Sequence, residues 1–138
     1  TVMLQREVAE RLCAEPPQMS VLSVATQFFA EARIAFDVAP SVFIPPPTVE
    51  SAVAILDVRP EPLLPAAEQR RFFAIVNAGF RQKRKQVANS LAAELDLPKA
   101  VVQAWLEGVD IDPMRRAQTL SVEEWARLTR AAPAAVAA

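Results

Sequence analysis

The sequence predicts the last strands and helices of an α/β sheet followed by an all-α domain. Three observations carry that prediction. Strand-like runs occur only before residue 59, in "TVML", "RIAFDVAP" and "VESAVAILDV". The segment "RPEPLLP" then places three prolines within residues 59–65, the composition of a linker. Every later run has helical spacing. The expected division is therefore an α/β part at 1–59, a linker at 60–65, a helical domain at 66–132 and a frayed tail at 133–138.

Taken in order, "TVML" reads as the end of a strand with partners upstream. In "LQREVAERLCAE", Leu4, Val8 and Leu12 form a helix stripe, and Glu7 with Arg11 forms an i, i+4 pair. "EPPQ" breaks that helix, and "SVLSVATQFFAEA" resumes one with Leu22, Ala25 and Phe29 inward. Ile34, Phe36 and Val38 alternate as a half-buried strand, and "VESAVAILDV" has the near-continuous apolar character of a strand covered on both faces. Beyond the linker, Phe72, Phe73, Val76 and Phe80 share a helix face, with Gly79 expected to cap or kink it. "RKQVANSLAAELD" turns Val87 and Leu91 inward. "PKAVVQAWLEG" starts at Pro98 and presents Val101, Val102, Trp105 and Leu106. Ser121 and Glu124 form a capping box for the last helix, with Leu120 and Trp125 as its hydrophobic staple.

Composition narrows the chemistry. The 138 residues are 52% apolar and 22% charged, enough to bury a core. No apolar run approaches the roughly 20 residues of a membrane span, so no membrane partner is expected. The opening, charged by Arg6, predicts no signal peptide, and a cytoplasmic setting follows. The single cysteine, Cys13, excludes an internal disulfide and reads as a small buried residue. The absence of histidine rules out histidine triads and most zinc sites. With only Gly79 and Gly108, the chain has no Gly-rich phosphate cradle.

Two segments carry candidate chemistry. Net charge is −1, yet residues 1–65 hold 4 Lys/Arg against 8 Asp/Glu and residues 66–138 hold 11 against 8. The basic surplus concentrates in "FRQKRKQVANSL". On a helix, Arg81, Arg84 and Lys85 would share one face, with Lys83 beside them, either as a phosphate-binding surface or as a solvated face. In "SVFIPPPTVESAV", Pro45, Pro46 and Pro47 lock the backbone just after Phe43. Phe43 is then either a core anchor at a rigid corner or a ring presented for stacking. Nothing local chooses between the two.

Read together, "MLQREVAERL", "LSVATQFF", "FIPPPTVESAV", "FRQKRKQVANSL" and "IDPMRRAQTLSVEEWARL" resemble, in order and spacing, the ribosomal RNA adenine N6-dimethyltransferases. That family modifies two adjacent adenines near the 3′ end of small-subunit rRNA. The resemblance spans nearly the whole chain and implies that residues 1–59 close a Rossmann-like methyltransferase sheet. It implies that Phe43 stacks on the flipped-out adenine, the catalytic-site role in this chain. It implies that the helical domain grips small-subunit rRNA, or the pre-ribosomal small subunit, through Arg81, Lys83, Arg84 and Lys85, with Arg116 a further family-matching arginine. The intact enzyme would use S-adenosylmethionine. The family's glycine-rich turn, ribose-binding acid and Asn-Leu-Pro-Tyr loop have no counterpart here, so this chain alone is expected neither to bind the cofactor nor to methylate. Met19, Ser20 and Val21 stand where the family usually has Tyr-Gly-Arg, which removes one cation. The competing readings are a non-catalytic rRNA-binding assembly module, a related large-subunit rRNA methylase, and a helical interaction domain whose open sheet edge self-associates.

Overall fold

A computed structural model of the chain describes residues 1–136. Its elements follow the predicted order: β1 (Val2–Gln5), α1 (Arg6–Leu12), α2 (Val21–Phe29), β2 (Ala30–Val38), β3 (Ser51–Val58), α3 (Ala66–Arg81), α4 (Val87–Leu95), α5 (Lys99–Gly108) and α6 (Val122–Arg130). Single 3-10 turns occupy Pro40–Val42 and Ala117–Thr119. Among the described residues, no helix is long and apolar enough to cross a membrane.

The sheet is antiparallel in the order β1-β3-β2, so the partner of β1 among the described residues is downstream, in β3. One register shift changes the meaning of the apolar alternation in β2. Ile34 pairs with Ala54 but Phe36 pairs with Val53, which leaves Ala35 as the extra residue of a bulge. Directly paired residues share a face, so Ile34 lies on the Ala52/Ala54 side while Phe36 and Val38 lie on the Ser51/Val53 side. The single half-buried stripe expected from Ile34, Phe36 and Val38 is therefore split. Ala52 and Ala54 are completely buried, and α1 packs against β3 and β2. Val53 and Ile55 are only partly covered, and Met3 and Phe36 are 54% and 59% exposed. The expectation of a strand covered on both faces holds for one face of β3.

Helix phasing differs in α2 and in α5, where Val101 of the expected face is 42% exposed, and the ion pair of α1 differs as well. In α2 the core residues are Val24 and Phe28, whereas Phe29 is 41% exposed, so the buried face is displaced from the expected Leu22, Ala25 and Phe29. The cause is tertiary: Phe28 lies 4.4 Å from Phe72 and 5.5 Å from Phe73, ring centre to ring centre, and this contact sets the helix rotation. In α1, Arg6 pairs with Glu10 at 3.0 Å instead of the expected Glu7 with Arg11. Met19 and Ser20, at the departure from the family pattern, have local duties: Met19 is buried, and Ser20 caps α2 in a reciprocal box with Ser23.

The main core runs from α2 through all four later helices and includes Leu64 of the linker. Gly79 neither caps nor kinks α3, which continues through it to Arg81. It sits under the Trp125 indole of α6, where a Cβ would lie 2.4 Å from Cη2. Trp105 donates from Nε1 to the Leu128 carbonyl at 2.8 Å, tying α5 to α6. Ser121 and Glu124 make the reciprocal capping box that their spacing predicts, and Leu120 and Trp125 are fully buried. The tail differs from expectation: Val136 is buried in the core and its N–H donates to the Pro133 carbonyl, so residues 133–136 are anchored. Residues 137 and 138 of the expected frayed tail lie outside the described residues.

Candidate nucleic-acid interface

The basic run does not lie on a helix. α3 ends at Arg81, and Gln82 to Gln86 form a turn before α4 begins at Val87. The expected one-sided helical array of Arg81, Arg84 and Lys85 is replaced by a turn that exposes Arg81, Lys83, Arg84 and Lys85 together around a shallow cleft of ≈ 290 Å³. Continuing the helix would stack these cations one turn apart with no acidic partner between them. The turn spreads them while keeping them on one local surface.

Ser90 is what fixes the turn. It is fully buried in α4, donates its hydroxyl to the Ala78 carbonyl at 2.6 Å and accepts the Gln82 N–H at 3.2 Å. One side chain thereby satisfies a carbonyl near the end of α3 and the first amide beyond it. The Lys85 N–H closes the turn onto the Gln82 carbonyl at 2.9 Å. Sequence reading passed over Ser90; its signal was a lone hydroxyl at an inward position beside Val87 and Leu91.

Arg116 is brought close to this surface by main-chain bonds. The Val87 N–H donates to the Arg115 carbonyl at 2.6 Å and the Ala88 N–H to that of Pro113 at 3.4 Å, so the loop before α6 closes the N-terminus of α4. Adjacent arginines then divide the work. Arg116 is exposed. Arg115 meets Glu124 twice, Nη1 to Oε2 at 2.5 Å and Nη2 to Oε1 at 3.0 Å, and also donates to the Thr119 carbonyl and hydroxyl. Burial by itself raises the Glu124 carboxyl, but the Arg115 and Ser121 hydrogen bonds and the charges of Arg115 and Arg127 outweigh it and hold the group below its usual value.

A carboxyl held low in the folded state stabilises the fold above its unfolded value, near pH 4.5, and that contribution is lost as pH falls through the folded value. Arg115→Met is therefore expected to lower stability at pH 7 by about 1–3 kcal/mol. The variant should also lose less stability than the parent on acidification below pH 4.5. Urea melts of both chains at neutral and acid pH check this; equal acid sensitivity would remove the assigned role of the pair.

Phe43 lines a second cleft, of ≈ 330 Å³, with Met3, Leu4, Gln5, Pro45, Pro47 and Ser51. It is half-buried. The two clefts share no lining residue, so the structure gathers the cations on one surface and leaves Phe43 on another. Residues 39–50, which carry Phe43, are held at both ends by Arg6. Its N–H donates to the Glu50 carbonyl at 2.9 Å, its Nη1 meets the Glu50 carboxylate at 2.6 Å, and its Nη2 lies 3.7 Å from Asp37. The Glu50 and Glu10 hydrogen bonds and the Asp37 charge raise the Arg6 pKa further, so it stays charged. Sequence reading missed Arg6 because its loop partners are distant along the chain.

Comparison with known proteins places this architecture. A family model described as "Ribosomal RNA adenine dimethylase" matches residues 1–132. The chain is 43% identical over 136 residues to the ribosomal RNA small subunit methyltransferase A of Shouchella clausii, covering 95% of this chain and 46% of that protein. It is 41% identical over 133 residues to the protein of the same name from Caldanaerobacter subterraneus, covering 95% and 49%. The chain thus spans about half the length of the curated relatives it matches. Among solved structures, the 23S rRNA methyltransferase ErmE superposes with a TM-score of 0.71 at 27% identity, over 94% of this chain and 52% of that one. A dimethyladenosine transferase from Plasmodium falciparum gives 0.75 at 22% identity, over 91% and 54%, a likeness of fold alone. On the extent of the family match and the identity to these relatives, the chain belongs to the ribosomal RNA adenine dimethylase family.

Proposed function

We propose that this chain is the RNA-gripping and adenine-stacking part of an rRNA adenine N6,N6-dimethyltransferase that acts on two adjacent adenines near the 3′ end of small-subunit rRNA. The observation that carries this reading is the pegged basic turn. Arg81, Lys83, Arg84 and Lys85 stand exposed on one surface that Ser90 holds in place. No salt bridge among the described residues engages any of them. Cations fixed by the fold lose little freedom on meeting phosphates, and Arg can take a phosphate bidentately. Arg116 extends the surface. Phe43 supplies the flat apolar face that an extracted adenine needs, and its cleft lies near the lower end of the about 300–1,000 Å³ typical of ligand pockets.

The family cofactor, S-adenosylmethionine, does not fit the residues present. Gly79 is occupied by Trp125, and Gly108 ends α5, so neither builds a backbone cradle. Within this reading the chain binds and orients RNA, and methyl transfer requires cofactor-binding residues that these elements do not contain. Calorimetric titration with S-adenosylmethionine is expected to show no stoichiometric binding; saturable one-to-one binding would refute that part.

The test of the RNA reading is salt dependence. The intact chain should bind a short RNA hairpin with an affinity that falls steeply as salt rises. Arg84→Ala combined with Lys85→Ala should weaken binding to all sequences alike and reduce the log–log salt slope by roughly 1.5 units. An unchanged slope, or no RNA binding by the parent chain, would overturn the reading.

A further inference from the structure

We propose that Ile44 is a wedge that enters the base stack of the RNA and fills the gap left when an adenine is drawn out onto Phe43. The proposal rests on the reading of Phe43 as a stacking platform and assigns a separate task to its neighbour. Ile44 is 100% exposed, with Val42 at 64% and Val49 at 46% in the same loop. Single exposed apolar residues are ordinary on protein surfaces. This one is unusual in being held out. Pro45, Pro46 and Pro47 fix φ on one side of it. On the other side, the Val42 and Phe43 N–H groups bond the Ala39 and Pro40 carbonyls, at 3.2 and 3.1 Å. Arg6 secures both ends of the loop. A side chain presented this way does not fold back onto its own domain.

Burial supports the division of labour. Phe43 is half-buried and lines the cleft with Met3 and Leu4, whereas Ile44 does not line that cleft and is fully exposed. Extracting a base costs unstacking free energy and leaves an apolar slot between its former neighbours. A β-branched aliphatic side chain has the shape and stiffness to fill such a slot, as apolar wedges do in proteins that kink nucleic acids.

The experiment compares two RNAs against the full-length chain and Ile44→Ala. One is a hairpin with a single abasic nucleotide in its stem, where the gap already exists. The other is an unstructured strand of equal length and charge, which has none. Ile44→Ala is expected to weaken binding to the abasic hairpin about tenfold and to leave the single strand unchanged, with the same thermal midpoint as the parent. Equal affinities of parent and variant for the hairpin, or an equal loss on both RNAs, would overturn the wedge. A change in self-association by light scattering without a change in RNA affinity would also overturn it, by assigning Ile44 to a protein contact. If the parent binds neither RNA, the wedge falls together with the reading of the basic turn and Phe43; if the parent binds the single strand with salt dependence but Ile44→Ala matches it on the hairpin, only the wedge falls.

Discussion

Gly79→Ala is expected to destabilise the chain by about 2 kcal/mol, although alanine is the better helix former. The two effects oppose each other. Replacing an interior helical glycine by alanine gains about 1 kcal/mol of propensity. Here the new methyl would stand 2.4 Å from Trp125 Cη2 and 3.0 Å from Cζ3, on a fully buried indole. Trp125 packs against α3 both at Gly79 and at the Phe80 ring, 5.6 Å away between centres, so relief requires α3 and α6 to separate. Overpacking of this kind costs up to about 3 kcal/mol, which leaves the net loss near 2. Thermal unfolding should show it as a fall of roughly 6–8 °C in Tm.

Trp125→Phe separates the cause. Phenylalanine lacks the outer indole ring that meets the methyl. It also removes Trp125 Nε1, a buried donor with no hydrogen-bond partner among the described residues. In the Gly79→Ala background, Trp125→Phe should therefore cost much less than alone, or restore stability. An additive double-mutant cycle, or a Gly79→Ala chain as stable as the parent, would show that close approach is not why glycine stands there.

That glycine illustrates what the sequence could and could not yield. Element order, the capping box at Ser121 and Glu124 and the inward Val87 and Leu91 of α4 were readable, because each rests on neighbours a few residues apart. Gly79 reads from the sequence as a cap or a kink because its real constraint, Trp125, lies far along the chain. The basic run was read as helix for the same reason. Its local spacing is helical and contains neither Gly nor Pro, yet the buried Ser90 hydroxyl takes the Gln82 amide and the chain turns. In β2 the bulge at Ala35 is invisible to an alternation count, and it moves Phe36 to the opposite face from Ile34. In α1 the i, i+4 pair is Arg6 with Glu10 and not the expected Glu7 with Arg11, and Arg6 also meets Glu50 and Asp37, distant in sequence, which the sheet brings in. At the candidate site, the cations and Phe43 could be singled out as candidates from the sequence, but their arrangement could not. Ser90, Arg6 and Arg115, which hold them, act through contacts that only the fold creates.

Phe43→Leu and Phe43→Ala are expected to weaken binding of a hairpin with two adjacent loop adenines by roughly 5- to 100-fold, the equivalent of about 1–3 kcal/mol of base–aromatic stacking. Affinity for the same hairpin with abasic nucleotides at those positions should not change, because nothing remains there to stack. The leucine variant makes the comparison decisive. It keeps most of the apolar volume against Met3, Leu4, Pro45 and Pro47 while removing the flat ring. If Phe43 is a core anchor, leucine should be well tolerated by RNA binding and alanine should lower Tm, with both effects independent of adenine. If it is a platform, leucine and alanine should be nearly equal in their loss of adenine affinity, and both should melt near the parent temperature, since the ring is only half-buried. Phe43→Trp, which enlarges the stacking face, should retain or strengthen adenine binding under the platform role and strain the cleft under the anchor role. Loss of Tm without loss of adenine discrimination would return Phe43 to the core and leave the basic turn as the RNA-binding feature of the chain.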